Sequence, residues 1–529
     1  MSPSAAGLFA EGLAAFQAGD FAAAEGFLLA AVQSDPTAHH AWQLLSLVAV
    51  RLGSADVAVE RAKRAVELDR KNPAYFNTLG IACSEHGDLP GAEQAFRRAA
   101  KLRPEFAEAH YNLGKALRDQ DELEGALQEY RRAHALAPRA VATQLGLAGM
   151  YRLIGQPGQA LEILRKAVRD GPLDSDHVPY LSECIADLEG PEAAIDWLQG
   201  LLKENPGFQQ AHHILGLLLL SVGRWLEGWP HFLWRTHWDR ERATSRPQGL
   251  ADRLDGRRVF LRAEEGIGDI LFYLRFAPEV VARGAELALE CPAHMAKLAP
   301  LIAGKVRTGT QAPSDLPIWI ADLPALLGIS APRSPFPLLA DARHVERAKD
   351  TLARLGPAPY LGLTWRGGTD AKRARAIGAE QAGLRLVFKD LAPELLAAAV
   401  RGWPGTLVSL QRGLRPGELD KLSRGAGAKV IDLAASTDDL GEALGLLGAL
   451  DEHVAVINTN MHLLAGLGRN ARVIVPRPID WRWMRDGESP WFPGFSIYRQ
   501  PPSYDWAEPL SRLRQDLFAP AGSPPRAAA

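Results

Sequence analysis

Proline stands at positions 36, 104, 138, 172 and 206 of this chain, and the gap in that ladder, Arg70, lies 34 residues from both neighbours. The same step links Gly19, Gly53, Gly87, Gly155 and Gly223, and it links Ala24, Ala58, Ala92, Ala126, Ala160 and Ala194. A fixed period of this size marks a stack of like supersecondary units, none able to bury its apolar face alone. Residues 1–238 are therefore expected to form an α-solenoid, a shape built to hold something.

Each unit reads as helix, turn, helix. In residues 107–138, Ala109, Leu113, Ala116 and Leu117 form one apolar stripe at helical spacing, and Ala126, Leu127 and Tyr130 form another. The recurrent Gly falls where the first helix must stop, suited to the left-handed conformation after a helix C-terminus. The recurrent Ala falls where two helices come too close for a larger side chain, and Pro closes the unit. Period, Gly, Ala and Pro together resemble the tetratricopeptide repeat over six units, 5–208. A seventh unit keeps Gly216 and Gly223 but ends in Trp225, Trp229, Phe232, Trp234 and Trp238, which reads as a cap packed on the next domain. Such an array offers a groove for a protein or peptide partner, with Asn77, Asn112 and Gln144 on the groove-side helices as polar positions.

A formal net charge of −2 gives no electrostatic footprint for nucleic acid or an anionic membrane. The longest apolar run, Ile214–Leu220, is too short to span a bilayer, and the N-terminus lacks the basic start of a signal peptide. Cys83, Cys184 and Cys291 lie far apart without metal spacing, as expected of thiols in a reducing, cytoplasmic setting.

After a charged connection (239–256) the periodicity changes. Residues 257–263 and 286–291 read as strands separated by a glycine turn and an amphipathic helix, a parallel α/β unit. Gly266 and Gly268 permit close backbone approach, and Asp269 is expected to cap the helix. A second set begins at Tyr360: strands at 360–368, 406–413, 429–434, 454–458 and 471–476, with a turn opening a helix at 458–468. The expected fold class is thus an α-solenoid followed by two Rossmann-type α/β lobes, 257–345 and 346–519. The closing helix at 507–517 is expected to pack across both lobes, and 520–529 to form a disordered tail.

The order FLRAEEGIGDILFYLRFAP, LGLTWRGG, VSLQRG, NTNMHLLAGLG and VIVPRPIDWRWMRDGESPWFPGFSIYRQ resembles the carboxy-terminal domain of bacterial tetratricopeptide-repeat glycosyltransferases, a domain similar to the heptosyltransferase family of the GT-B fold. The likeness spans about 257–510. It implies an inverting, metal-independent transfer from a nucleotide-sugar, with no cofactor. Asp269 is then the base that takes the acceptor proton, with Glu264 and Glu265 as lesser candidates. Gly266, Gly268, Trp365, Arg366, Gly367, Gly368 and Lys372 (or Arg373) are implied on the donor phosphates, and Gln411 and Arg412 near the donor base or ribose. Asn458, Thr459, Asn460 and His462 are implied on the donor at a helix N-terminus. Many relatives carry an Asp before that Thr; this chain has Ile457-Asn458, which leaves the donor open. There is no DxD motif in a metal-holding setting. The expected acceptor is a protein held by the repeats, such as flagellin or another bacterial surface protein. The alternative is a repeat scaffold whose transferase half has decayed.

Overall fold

A computed structural model describes residues 4–235, 249–263, 266–290, 306–309, 311–312, 315–367, 389–477 and 479–519. The described residues divide into two compact units, one ending at Cys184 and the other starting at Ile185, so the division falls inside a repeat helix, His177–Leu188.

The first unit is helical throughout, as the period demands. Among the described residues fourteen helices precede the first strand, from Ala5–Gln17 to Trp225–Phe232, and those up to residue 184 build this unit. Ala24, Ala58, Ala92, Ala126 and Ala160 are all 0% exposed, because each sits where two helices close. Gly19, Gly53, Gly87 and Gly155 have φ between +73° and +91°, the left-handed conformation that an L side chain resists. Where the ladder lacks Gly, Asp121 adopts φ +67° instead, and two steps later Gly190 takes φ +94° one residue out of register. Asp20 and Asp88 cap the helices that follow, accepting from the Ala23 and Gly91 amides at 3.0 Å each. Cys83 and Cys184 are buried.

Of the three polar positions on the first helices of the repeats, Asn112 is half-buried. Asn77 and Gln144 are buried. Asn112 donates to Asn77 (3.0 Å), Asn77 to Glu108 (3.0 Å), Gln144 to the Pro138 carbonyl (2.8 Å), and His177 pairs with Gln144 (2.9 Å). They stitch successive repeats to one another, since a buried amide left unpaired costs more than a neutral contact returns.

The second unit holds two parallel sheets. The first runs β3-β2-β1-β4, with β1 Arg258–Arg262, β2 Glu286–Glu290, β3 Val306–Gly309 and β4 Leu316–Trp319. Val259 lies opposite both Leu287 and Leu316, which fixes the register around the central strand. The second runs β12-β11-β10-β5-β8-β9, from β5 Tyr360–Thr364, β8 Thr406–Ser409, β9 Val430–Asp432, β10 Glu452–Val456, β11 Arg472–Val475 and β12 Ser496–Arg499. Two short strands, β6 Arg366–Gly367 and β7 Lys389–Asp390, pair antiparallel beside it. Near-continuous apolar runs such as Val454–Val456 fit strands covered on both faces.

One apolar core joins residues of both sheets to Leu220, Trp229 and Phe232 of the seventh repeat. Trp229, 1% exposed, donates its indole N–H to the Ile329 carbonyl at 3.0 Å. Arg235 meets Asp322 at 2.6 Å, each side chain 4% exposed, and the Arg485 amide donates to Ser221 at 3.1 Å. Asp187, 0% exposed, is paired with Arg477 and lies 3.8 Å from Arg485. The expectation that the aromatic repeat packs on the next domain is met by these contacts. Trp238 and Cys291 lie outside the described residues.

One expectation is corrected. The closing helix, Ala507–Leu517, does not bridge the sheets: Leu510, Leu513 and Leu517 join the cluster of Leu396, Ala397 and Tyr498 on the second sheet. It carries one apolar stripe, enough for one face. In the connection, described from residue 249, Leu254 is buried and the Leu250 amide donates to the Leu326 carbonyl at 3.0 Å. The helix Ala342–Leu355, which the expected lobe boundary would cut, packs on the helix Leu440–Ala449: a Cβ at Gly445 would lie 2.7 Å from the His344 backbone.

Candidate functional site

In each sheet the strand order reverses once. The first reverses between β1 and β4, the second between β5 and β10. Crevices outside the carboxyl ends of strands at such reversals are where parallel α/β sheets take ligands. The residues after β1 are Ala263–Asp269, those after β5 are Trp365–Gly367, and those after β10 are Ile457–Thr459.

These ends come together. Gly367 faces Ile457 so closely that a Cβ there would fall on the Ile457 carbonyl oxygen, with Asn458 Cβ 3.2 Å away. Gly268 lies on the helix Ile267–Tyr273, and a Cβ on it would meet His462 Cδ2 at 2.9 Å and Thr459 Cα at 3.5 Å. The helix that follows β1 in one sheet therefore packs on the helix Thr459–Gly466 following β10 in the other. His462 is buried, with Phe492 at 5.3 Å and Phe272 at 6.1 Å between ring centroids. Asn458 caps that helix, accepting from the Asn460 amide at 2.9 Å, while its Nδ2 is buried without a partner among the described residues. Thr364 Oγ1, at the end of β5, is in the same condition. Thr459 and Asn460 are half-buried beside them.

Asp269 does not cap its helix; no side chain does. Its carboxylate instead accepts from Arg482, which Asp480 also holds. Gly266, the residue at the cap position, is exposed.

The remaining expected donor residues divide. Gln411 is buried, its Oε1 accepting from the Trp365 (3.1 Å) and Arg366 (2.8 Å) amides and its Nε2 donating to the Arg412 carbonyl (2.9 Å). It ties the ends of β5 and β8 together, and those bonds occupy its amide. Trp365 has its side chain 0% exposed within the core of the second sheet, so only its backbone borders the turn. Arg366 is half-buried beside it. Its guanidinium is paired with Glu418 and donates to the Gly413 carbonyl, so its charge is already matched. Burial pushes the Glu418 carboxyl up, but Arg366 and the Arg415 amide outweigh it and leave it below its ordinary range. Asp390 beside them moves the other way, raised by burial despite Arg415 and Arg366. Arg412 is 58% exposed, donating from Nε to Thr437 at 2.9 Å and lying 3.8 Å from Asp438. Gly368, Lys372, Arg373, Glu264 and Glu265 lie outside the described residues.

Sequence reasoning missed Arg482 and Glu418. The signal for the first was the DWRW run itself, in which a charged residue stands between two tryptophans.

A tetratricopeptide-repeat family model matches residues 9–73 and 77–141. Protein FlbA of Caulobacter vibrioides is 23% identical over 585 residues, covering 94% of this chain and 94% of its own. Among solved structures, a tetratricopeptide-repeat protein of Thermus thermophilus is similar at 21% identity, covering 34% of this chain and 99% of its own, with a TM-score of 0.32. Pseudomonas aeruginosa PilF is similar at 19% identity over 40% and 96%, with a TM-score of 0.34. The repeats are tetratricopeptide repeats in a bacterial protein. No helix among the described residues is long and apolar enough to cross a membrane.

Proposed function

We propose that the chain is an inverting glycosyltransferase of GT-B type that draws on a nucleotide-sugar and receives a protein acceptor through its repeats. The observation that carries this reading is the meeting of two strand-order reversals, Gly268 against Thr459 and His462. A donor and an acceptor need one cleft with a lobe for each, and the approach of the two strand ends supports such an arrangement. Asp269 stands on the first-sheet side as the base for the acceptor hydroxyl. Asn458, Thr459, Asn460 and the helix N-terminus they open stand on the second-sheet side, with amides to meet donor oxygens. Arg412 is the exposed cation for diphosphate charge. A flagellin or other bacterial surface protein is the proposed acceptor class, on architecture alone.

One observation favours a second reading, a repeat scaffold with an idle transferase-like body. Arg366, at the position implied for phosphate, is neutralised by Glu418. Full-length protein heated with UDP-, GDP-, dTDP- and CMP-sugars separates the two, because a ligand that binds only the folded state raises the unfolding midpoint by mass action. A shift with one nucleotide, weakened in Arg412→Ala and in Asn458→Ala, supports the transferase. A flat response across the panel leaves the scaffold.

A further inference from the structure

The segment 480–500 is the most distinctive stretch of the carboxy-terminal half, and the scheme above gives it no work. Its hydrogen bonds converge on Arg482. Asp480 accepts from the Arg482 amide at 3.0 Å and grips the guanidinium twice, at Nε (3.0 Å) and Nη2 (2.8 Å). The turn Trp481–Trp483 sends both indoles into the core, 5% and 1% exposed, on either side of the arginine. Ser489 Oγ donates to the Arg482 carbonyl at 2.5 Å, and the Arg499 guanidinium donates to the Trp483 and Met484 carbonyls. The rings of Phe272 and Trp481 lie 5.4 and 5.8 Å from the guanidinium carbon. Burial works against the charge on Arg482, but Asp480 and Asp269 more than offset it and hold the group well above its ordinary range.

One nitrogen of the guanidinium, Nη1, is left for Asp269, whose Oδ1 it engages. Asp269 sits on a seven-residue helix and makes no capping bond. Nothing else hydrogen-bonded to its carboxylate fixes the direction of that carboxylate among the described residues. Arg482 belongs to the segment running into β12 of the second sheet, whereas Asp269 follows β1 of the first, so this bond also joins the two strand systems.

We infer that Arg482 is the positioning residue for Asp269, with Asp480 seating the guanidinium and Arg482 aiming the carboxylate at the acceptor hydroxyl. This rests on the transferase reading. In the step it serves, the acceptor O–H proton passes to Asp269 and the acceptor oxygen bonds to the anomeric carbon. The bond from that carbon to the nucleoside diphosphate breaks, and its electron pair leaves with the phosphate. Arg482 touches none of the reacting atoms; it fixes the group that does.

The test uses full-length protein, the sugar nucleotide found in the thermal screen, and release of free nucleotide as the readout, with water standing in for the acceptor. Arg482→Gln is expected to lower kcat by about 10- to 100-fold, the scale of a misplaced catalytic group, while donor KM stays within about twofold. Arg482→Lys, which keeps charge but loses the fork, recovers part of kcat only. Asp480→Asn, which loosens the seat at constant size, gives a smaller loss in the same direction and carries the test if Arg482→Gln fails to fold. An unchanged kcat in Arg482→Gln, or a raised KM with kcat intact, overturns the inference while the transferase stands. Donor binding without nucleotide release by the wild type also overturns it but keeps the donor site. No binding and no release across the panel overturns both.

Discussion

At the residue scale, the site is set by how closely backbones approach. Alanine is worth about 1 kcal/mol more than glycine in a helix, so Gly268→Ala would stabilise on propensity alone. Here the added carbon meets a histidine ring already packed by Phe272 and Phe492. Overpacking of that kind costs about 1–3 kcal/mol, and it wins. Gly268→Ala should lower the urea midpoint and weaken any donor-induced thermal shift. His453 supplies a second prediction. It is 1% exposed on β10, and burial alone pushes it down to about 3 from an ordinary 6.5. The folded state keeps it neutral while the unfolded state takes a proton, so its contribution is present above pH 6.5 and lost as pH falls towards 3. Between pH 7 and pH 5 the wild type should lose about 2 kcal/mol more than His453→Leu in urea unfolding. Equal losses would count against a neutral buried ring. The sequence showed Gly268 and Asp269 as a pair, because glycine beside an acid after a strand is a local pattern. It hid Arg482, which reaches Asp269 from 213 residues away, and it hid the burial of Trp365, since the strand's alternation decides which face an indole takes.

At the element scale, repeats announce themselves and sheet order does not. The 34-residue ladder specifies helices, turns and left-handed glycines on its own, because each unit is fixed by neighbours close in sequence. Strands were also visible, as short apolar runs between turns. The order β12-β11-β10-β5-β8-β9 was not, since parallel pairing depends on crossovers that leave no mark at one position. The closing helix was misplaced for the same reason. Ion pairs between elements divide by burial. Asp187→Ala leaves Arg477 and Arg485, 8% and 9% exposed, without their carboxylate and should cost about 3–5 kcal/mol in chemical unfolding. Arg224→Ala breaks pairs with Glu227 and Glu192, which are 54% and 63% exposed, and should cost less than about 1 kcal/mol. A similar loss from both variants would show that the buried pair is not what secures Asp187.

At the scale of the whole molecule, the visible change in periodicity near 239 is not where the compact units divide. Leu220, Trp229 and Phe232 lie in the same core as both sheets. A fragment 257–519 exposes that core and loses Trp229, itself worth about 3–5 kcal/mol on truncation. It should bind ANS and unfold without a cooperative transition, whereas 185–519 should unfold cooperatively and bind little dye. A cooperative 257–519 would show that the seventh repeat is dispensable.

The repeats therefore do not form one interchangeable handle. The stretch before 185 has a core of its own and is the part that exchange between proteins would leave intact, while the last turn of the array travels with the body that it seals. A chimera designed to redirect this chain to another client should be spliced at that internal joint. One spliced at the charged connection would carry away part of the core that the sheets share with the seventh repeat.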